Sequence, residues 1–73
     1  VDFILDQGKV AIEIKGSANI DKRDIYGIDA FTRECSPKRS ILICNERQKR
    51  LHGKIEIFPW EVFLQQLWEG KIL

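Results

Sequence analysis

The chain has no methionine, one histidine, two prolines and two cysteines in 73 residues, and each shortage excludes something. Cys35 and Cys44 have neither zinc-ligand nor redox spacing, and one bridge makes no disulfide framework. Both read as buried thiols in a reducing cytoplasm. His52 stands beside Gly53 in a charged stretch and reads as an exposed turn residue without a catalytic or ligand role. No apolar run approaches the roughly 20 residues that cross a bilayer, so a membrane partner is not expected. A glycine-rich phosphate loop is missing too, which places any nucleotide binding outside this segment. There is no internal repeat and no low-complexity tract. A sequence without methionine that opens on Val1-Asp2-Phe3, already in strand-like alternation, reads as part of a longer protein.

What is present is 44% hydrophobic and 32% charged with a net charge of +1, the composition of a folded domain rather than a disordered one. At this length it is a single domain, residues 1–73, with a small core that removes about 60% of the unfolded surface from water.

Val1 to Leu5 and Val10 to Lys15 are β-rich runs joined by Asp6-Gln7-Gly8-Lys9, and a two-residue Gln7-Gly8 turn predicts an antiparallel hairpin. Its register sets Leu5 against Val10, Phe3 against Ile12 and Asp2 against Glu13. Asp21 to Cys35 carries Ile25, Ile28, Thr32 and Cys35 at helical intervals. Asp21 is the expected N-cap, Ile20 and Ile25 the staple, and Ser36-Pro37 the stop. Ser40 to Cys44 is continuously apolar, as in a strand covered on both faces. Strand, helix and second strand imply a right-handed parallel crossover. Asn45 to Lys54 reads as a basic loop and Lys54 to Phe58 as a peripheral strand. From Pro59 to Glu69 the spacing of Trp60, Phe63, Leu64, Leu67 and Trp68 predicts a final helix packed on the sheet, with both tryptophans in the core. The sum is an α/β domain of ββαββα order.

Glu13 and Lys15, two apart on a strand, share one sheet face. Directly opposed Asp2 and Glu13 would repel, and a divalent cation would relieve the repulsion. Two readings stay open from spacing alone: the cation site, and the polar face of an edge hairpin in which Glu13 and Lys15 neutralise each other. Apolar Ile4 and Ala11 share that face, confining charge to one end. The basic segment sets Arg47, Lys49, Arg50 and Lys54 against Glu46 alone. It reads either as a solvated loop or as a surface that tracks a nucleic-acid backbone, with Lys22 and Arg23 adding phosphate contacts. No aromatic residue interleaves those charges.

Asp2, a gap of ten residues and then Glu13-Ile14-Lys15, followed by a helix and an apolar strand, resemble the PD-(D/E)XK nuclease superfamily. The stretches VDFIL, VAIEIKGS and IEIFPWEVFLQQLWEGKIL are similar to the domain at the C-terminus of many prokaryotic AAA-type ATPases, over nearly the whole chain. This resemblance implies a restriction-endonuclease-like core and an upstream ATPase module in the same polypeptide. It implies Mg²⁺ or Mn²⁺ held by Asp2, Glu13 and the Ile14 carbonyl, Lys15 positioning or activating water, and DNA phosphodiester hydrolysis. The family's proline just before its Asp and a further acid from an earlier helix fall outside this sequence. The alternative is an inactive regulatory or oligomerisation module that docks through the C-terminal helix onto an ATPase or a second copy.

Overall fold

A computed structural model describes residues 1–72. Five strands and two helices follow in the order β1 (Phe3–Leu5), β2 (Val10–Ile14), α1 (Lys22–Cys35), β3 (Arg39–Cys44), β4 (Arg50–His52), β5 (Ile55–Pro59) and α2 (Trp60–Trp68). They build one mixed sheet of order β1-β2-β3-β5-β4, parallel from β2 through β3 to β5 and antiparallel at both edges. The element order is therefore ββαβββα, one strand more than expected.

Each hairpin follows from its turn. Asp6, Gln7 and Gly8 all have positive φ, 53°, 57° and 91°, so the loop beyond the last pair, Leu5 with Val10, is the four residues Asp6–Lys9 and not the expected two-residue Gln7-Gly8 turn. At the other edge His52 pairs with Ile55, and of Gly53-Lys54 only Gly53 has positive φ, 61°, as in a type II′ turn. That turn folds the second half of the supposed basic loop into β4. It also corrects the place of β5, which lies between β3 and β4 with Ile55, Ile57 and Phe58 buried.

Helix α1 starts where its cap requires. The Asp21 carboxylate accepts from the Arg23 and Asp24 N–H groups at 3.0 and 3.1 Å, and Asp24 returns a bond to the Asp21 N–H at 3.0 Å, a capping box. The helix stops at Ser36, in the left-handed region with φ 47°. Ile20, Ile25 and Ile28 pack on Leu42, Cys44, Ile55 and Ile57 on one face of the sheet. On the other face Phe63 of α2 joins Val10, Ile12, Ile41, Ile43, Phe58 and Ile72.

Three burial expectations fail. Trp60 is 48% and Trp68 93% exposed, with Leu64 and Leu67 beside them also exposed. The reason is placement: α2 contacts only β5 and β3, so Phe63 alone among its residues is buried. Cys44 is buried, but Cys35, in the last turn of α1, is exposed.

Candidate functional site

Strand parity decides which residues can meet. Glu13 pairs with Leu42 and Ala11 with Ser40, so Glu13 points to the α1 face, where it is buried with 8% of its surface exposed. Since β2 and β3 run parallel, the start of α1 and the segments after β2 and β3 gather at one end of the sheet. There the Asn45 N–H reaches the Ser17 carbonyl at 2.9 Å and its side-chain amide the Gly16 carbonyl at 3.2 Å. The C-terminal ends of parallel strands are where open α/β sheets bind ligands.

The hairpin departs from its expected register at this end. The Lys9 carbonyl accepts from the Arg39 N–H at 3.1 Å and the Lys15 N–H donates to Ile43 at 2.8 Å, so the odd residues of β2 bond to β3 and the even ones turn to β1, with Leu5–Val10 and Phe3–Ile12 as the hydrogen-bonded pairs of the hairpin. The pairing ends at Phe3, and the Asp2 N–H turns to the same Ile12 carbonyl at 2.9 Å. Asp2 is thus not squarely across from Glu13; its Oδ2 accepts from the Ile14 N–H at 2.7 Å. A backbone donor anchors that carboxylate.

In an extended strand the N–H and C=O of one residue point to the same side. The Ile14 carbonyl therefore lies on the side where Asp2 sits, while the Lys15 N–H turns the other way to Ile43 at 2.8 Å. Glu13 meets the Lys15 ammonium, with Nζ 3.4 Å from Oε2. The Lys15 side chain keeps 38% of its surface exposed, so it bridges the covered carboxylate and solvent. Across from Glu13 runs α1, where Gly27 stands: a Cβ there would lie 3.8 Å from Glu13 Oε2.

Asp2, Glu13 and the Ile14 carbonyl are the oxygens expected to hold a divalent cation; among the described residues no group of three or more His, Cys, Asp or Glu side chains converges. Mg²⁺ is held by such a small set when waters and phosphate oxygens complete its shell.

The basic residues divide into three places. Lys22 and Arg23, in the first turn of α1, line a hollow of about 340 Å³ with Tyr26. Arg47 borders a second hollow with Ala18, Asn19, Asn45 and Glu46. Lys49 and Arg50 face a groove against α2, with Leu51, Glu56, Phe58 and Gln66. Arg50 also has internal partners. It donates to both Glu46 oxygens at 2.9 and 3.0 Å and to the Ile20 carbonyl at 2.9 Å, while Glu46 accepts from the Ile20 N–H at 2.7 Å. The Arg50 hydrogen bonds hold the Glu46 carboxyl below the usual carboxylate range. The pair ties β4 to the start of α1, a structural link that charge counting does not reveal.

Sequence reasoning passed over Tyr26 as a member of this end of the molecule. Helical spacing carried the available signal, since Tyr26 falls off the Ile25, Ile28, Thr32 stripe. Comparison with protein-family models, curated proteins and solved structures finds no match to the chain.

Proposed function

We propose that the chain is a restriction-endonuclease-like domain with a right-handed β2-α1-β3 crossover, acting in Mg²⁺- or Mn²⁺-dependent hydrolysis of DNA phosphodiester bonds. One observation carries the reading. A buried Glu13 carboxylate shares the open end of the hairpin with a second carboxylate, Asp2, and with Lys15, whose ammonium lies 3.4 Å from Glu13. Asp2, Glu13 and the Ile14 carbonyl would hold the cation, which polarises a phosphoryl oxygen and lowers the pKa of bound water. The chain's own groups do the rest. Glu13 is fixed between strand and helix and largely shut from water. Lys15, reaching from that carboxylate to solvent, orients water and donates to the negative charge that develops on the phosphate. Lys22, Arg23, Arg47, Lys49 and Arg50 supply phosphate contacts around it.

The test is metal-dependent nicking of plasmid DNA by the parent protein and by Glu13→Gln and Lys15→Ala variants. Loss of cleavage in both, with unchanged circular dichroism, supports the assignment; equal activity in both sinks it.

The exposed α2 stripe favours a second, non-enzymatic reading. Trp60, Leu64, Leu67 and Trp68 leave an apolar row facing solvent, and such rows mark contact surfaces. In that reading α2 docks onto an upstream ATPase module or a second copy. Sedimentation that stays monomeric, and no capture of the ATPase part by this domain, would remove it.

A further inference from the structure

Tyr26 is 76% exposed on a helix whose apolar stripe already packs on the sheet without it. Lys22 and Arg23 stand four and three residues earlier, which puts them on the same helix surface. All three line one open hollow. The Arg23 guanidinium pairs with Asp21 at 3.6 Å, with its side chain 94% exposed, an ion pair weak enough to exchange for a phosphate. A Cβ on the next residue, Gly27, would lie 3.8 Å from Glu13 Oε2. One aromatic ring and two cations thus stand exposed on the stretch of α1 that runs past the Glu13 carboxylate.

We infer that Lys22, Arg23 and Tyr26 form a stacking platform for an unpaired base of single-stranded nucleic acid. A ring standing clear of the helix offers its face only to a base that is not already stacked in a duplex, while the flanking cations take the adjoining phosphates. Such stacking tolerates any base, because every base has a π-face. The inference deepens the nuclease reading, on which it rests, by naming the strand form that enters the site.

The experiment is fluorescence anisotropy with a labelled 20-nucleotide oligo-dT, in EDTA at low salt, so that binding is measured without cleavage. Tyr26→Ala is expected to weaken binding by about 5- to 150-fold, the effect of losing one stacked base. Tyr26→Phe should bind like the parent chain, and Tyr26→Leu should behave like the alanine variant, since the ring and not apolarity is required. A duplex of equal length should bind more weakly than the single strand. Unchanged affinity in Tyr26→Ala, equal affinity for the duplex, or no binding of the oligonucleotide each overturns the platform. Failure of the catalytic reading looks different: Glu13→Gln would then cleave normally while Tyr26→Ala still lost the oligonucleotide.

Discussion

Glu13 and Glu46 are two carboxylates covered to nearly the same degree, with 11% and 13% side-chain exposure, each beside a basic side chain near the start of α1. They differ in how their oxygens are satisfied. Glu46 has a guanidinium on both oxygens and a backbone amide on one, all between 2.7 and 3.0 Å. Glu13 is met by the Lys15 ammonium at 3.4 Å. A planar, bidentate partner fixes geometry; an ammonium on a flexible stem is a point charge that moves. Equal burial and equal pairing of charges thus conceal one closed link and one carboxylate with capacity left for an incoming group.

The largest expected effect separates the two. Glu13→Gln should lower metal-dependent cleavage by about 100-fold or more while leaving the melting temperature near that of the parent chain. Glu46→Ala should do the reverse. It strands Arg50 and removes the acceptor of the Ile20 N–H, costing about 1–3 kcal/mol, and the melting temperature should fall by about 4–8 °C per kcal/mol. Thermal melts followed by circular dichroism, beside nicking assays well below the transition, read both. If Glu46→Ala matched Glu13→Gln in lost activity at full stability, the distinction would be broken.

Glu13, Lys15 and the hairpin are written plainly in alternation and turn chemistry, and Asp21, Ile20 and Ile25 announce the start of α1. The Glu46–Arg50 link is not legible, because it depends on where two loops meet after β2 and β3 have paired. Nor is the end of the pairing: a register counted outward from Gln7-Gly8 cannot show that the Asp2 N–H stops at Ile12. Strand β4 escapes for another reason. Arg50, Leu51 and His52 are all exposed, so no alternation marks them, and only Gly53 hints at the turn. The tryptophans mislead because helical spacing reports an apolar row but not the width of sheet available to cover it.

Gly27 sharpens the same comparison at a smaller scale, since it sits over Glu13 and not over Glu46. A methyl at 3.8 Å from Glu13 Oε2 is an ordinary contact, so Gly27→Ala should gain up to about 1 kcal/mol from helix propensity alone. The melting temperature should rise with activity kept. Gly27→Leu should instead screen Glu13 and depress cleavage without lowering the melting temperature. A drop in stability with alanine would mean that α1 lies closer to Glu13 than this spacing allows.

Acid titration gives the smallest and most specific expected difference. Glu46 is held below its ordinary value of 4.5, first by the Arg50 hydrogen bonds, and Asp21 below 3.8, first by the Asp24 N–H. A carboxylate with a lowered folded pKa leaves the unfolded chain holding more protons in that interval, so stability falls as pH falls. Its contribution is complete above the ordinary value and disappears as pH drops through the folded one. Denaturation midpoints followed downward from pH about 6 should therefore decline, and Glu46→Gln should flatten the decline just below 4.5, where Asp21→Asn acts only lower down. Salt separates the causes. At about 1 M, where the Debye length is about 3 Å, long-range attraction is screened, but direct bonds of 2.9 and 3.0 Å to Arg50 persist. The Glu46 slope should survive such salt; its disappearance would show that Arg50 acts as a distant charge and that Glu46 is no more firmly closed than Glu13.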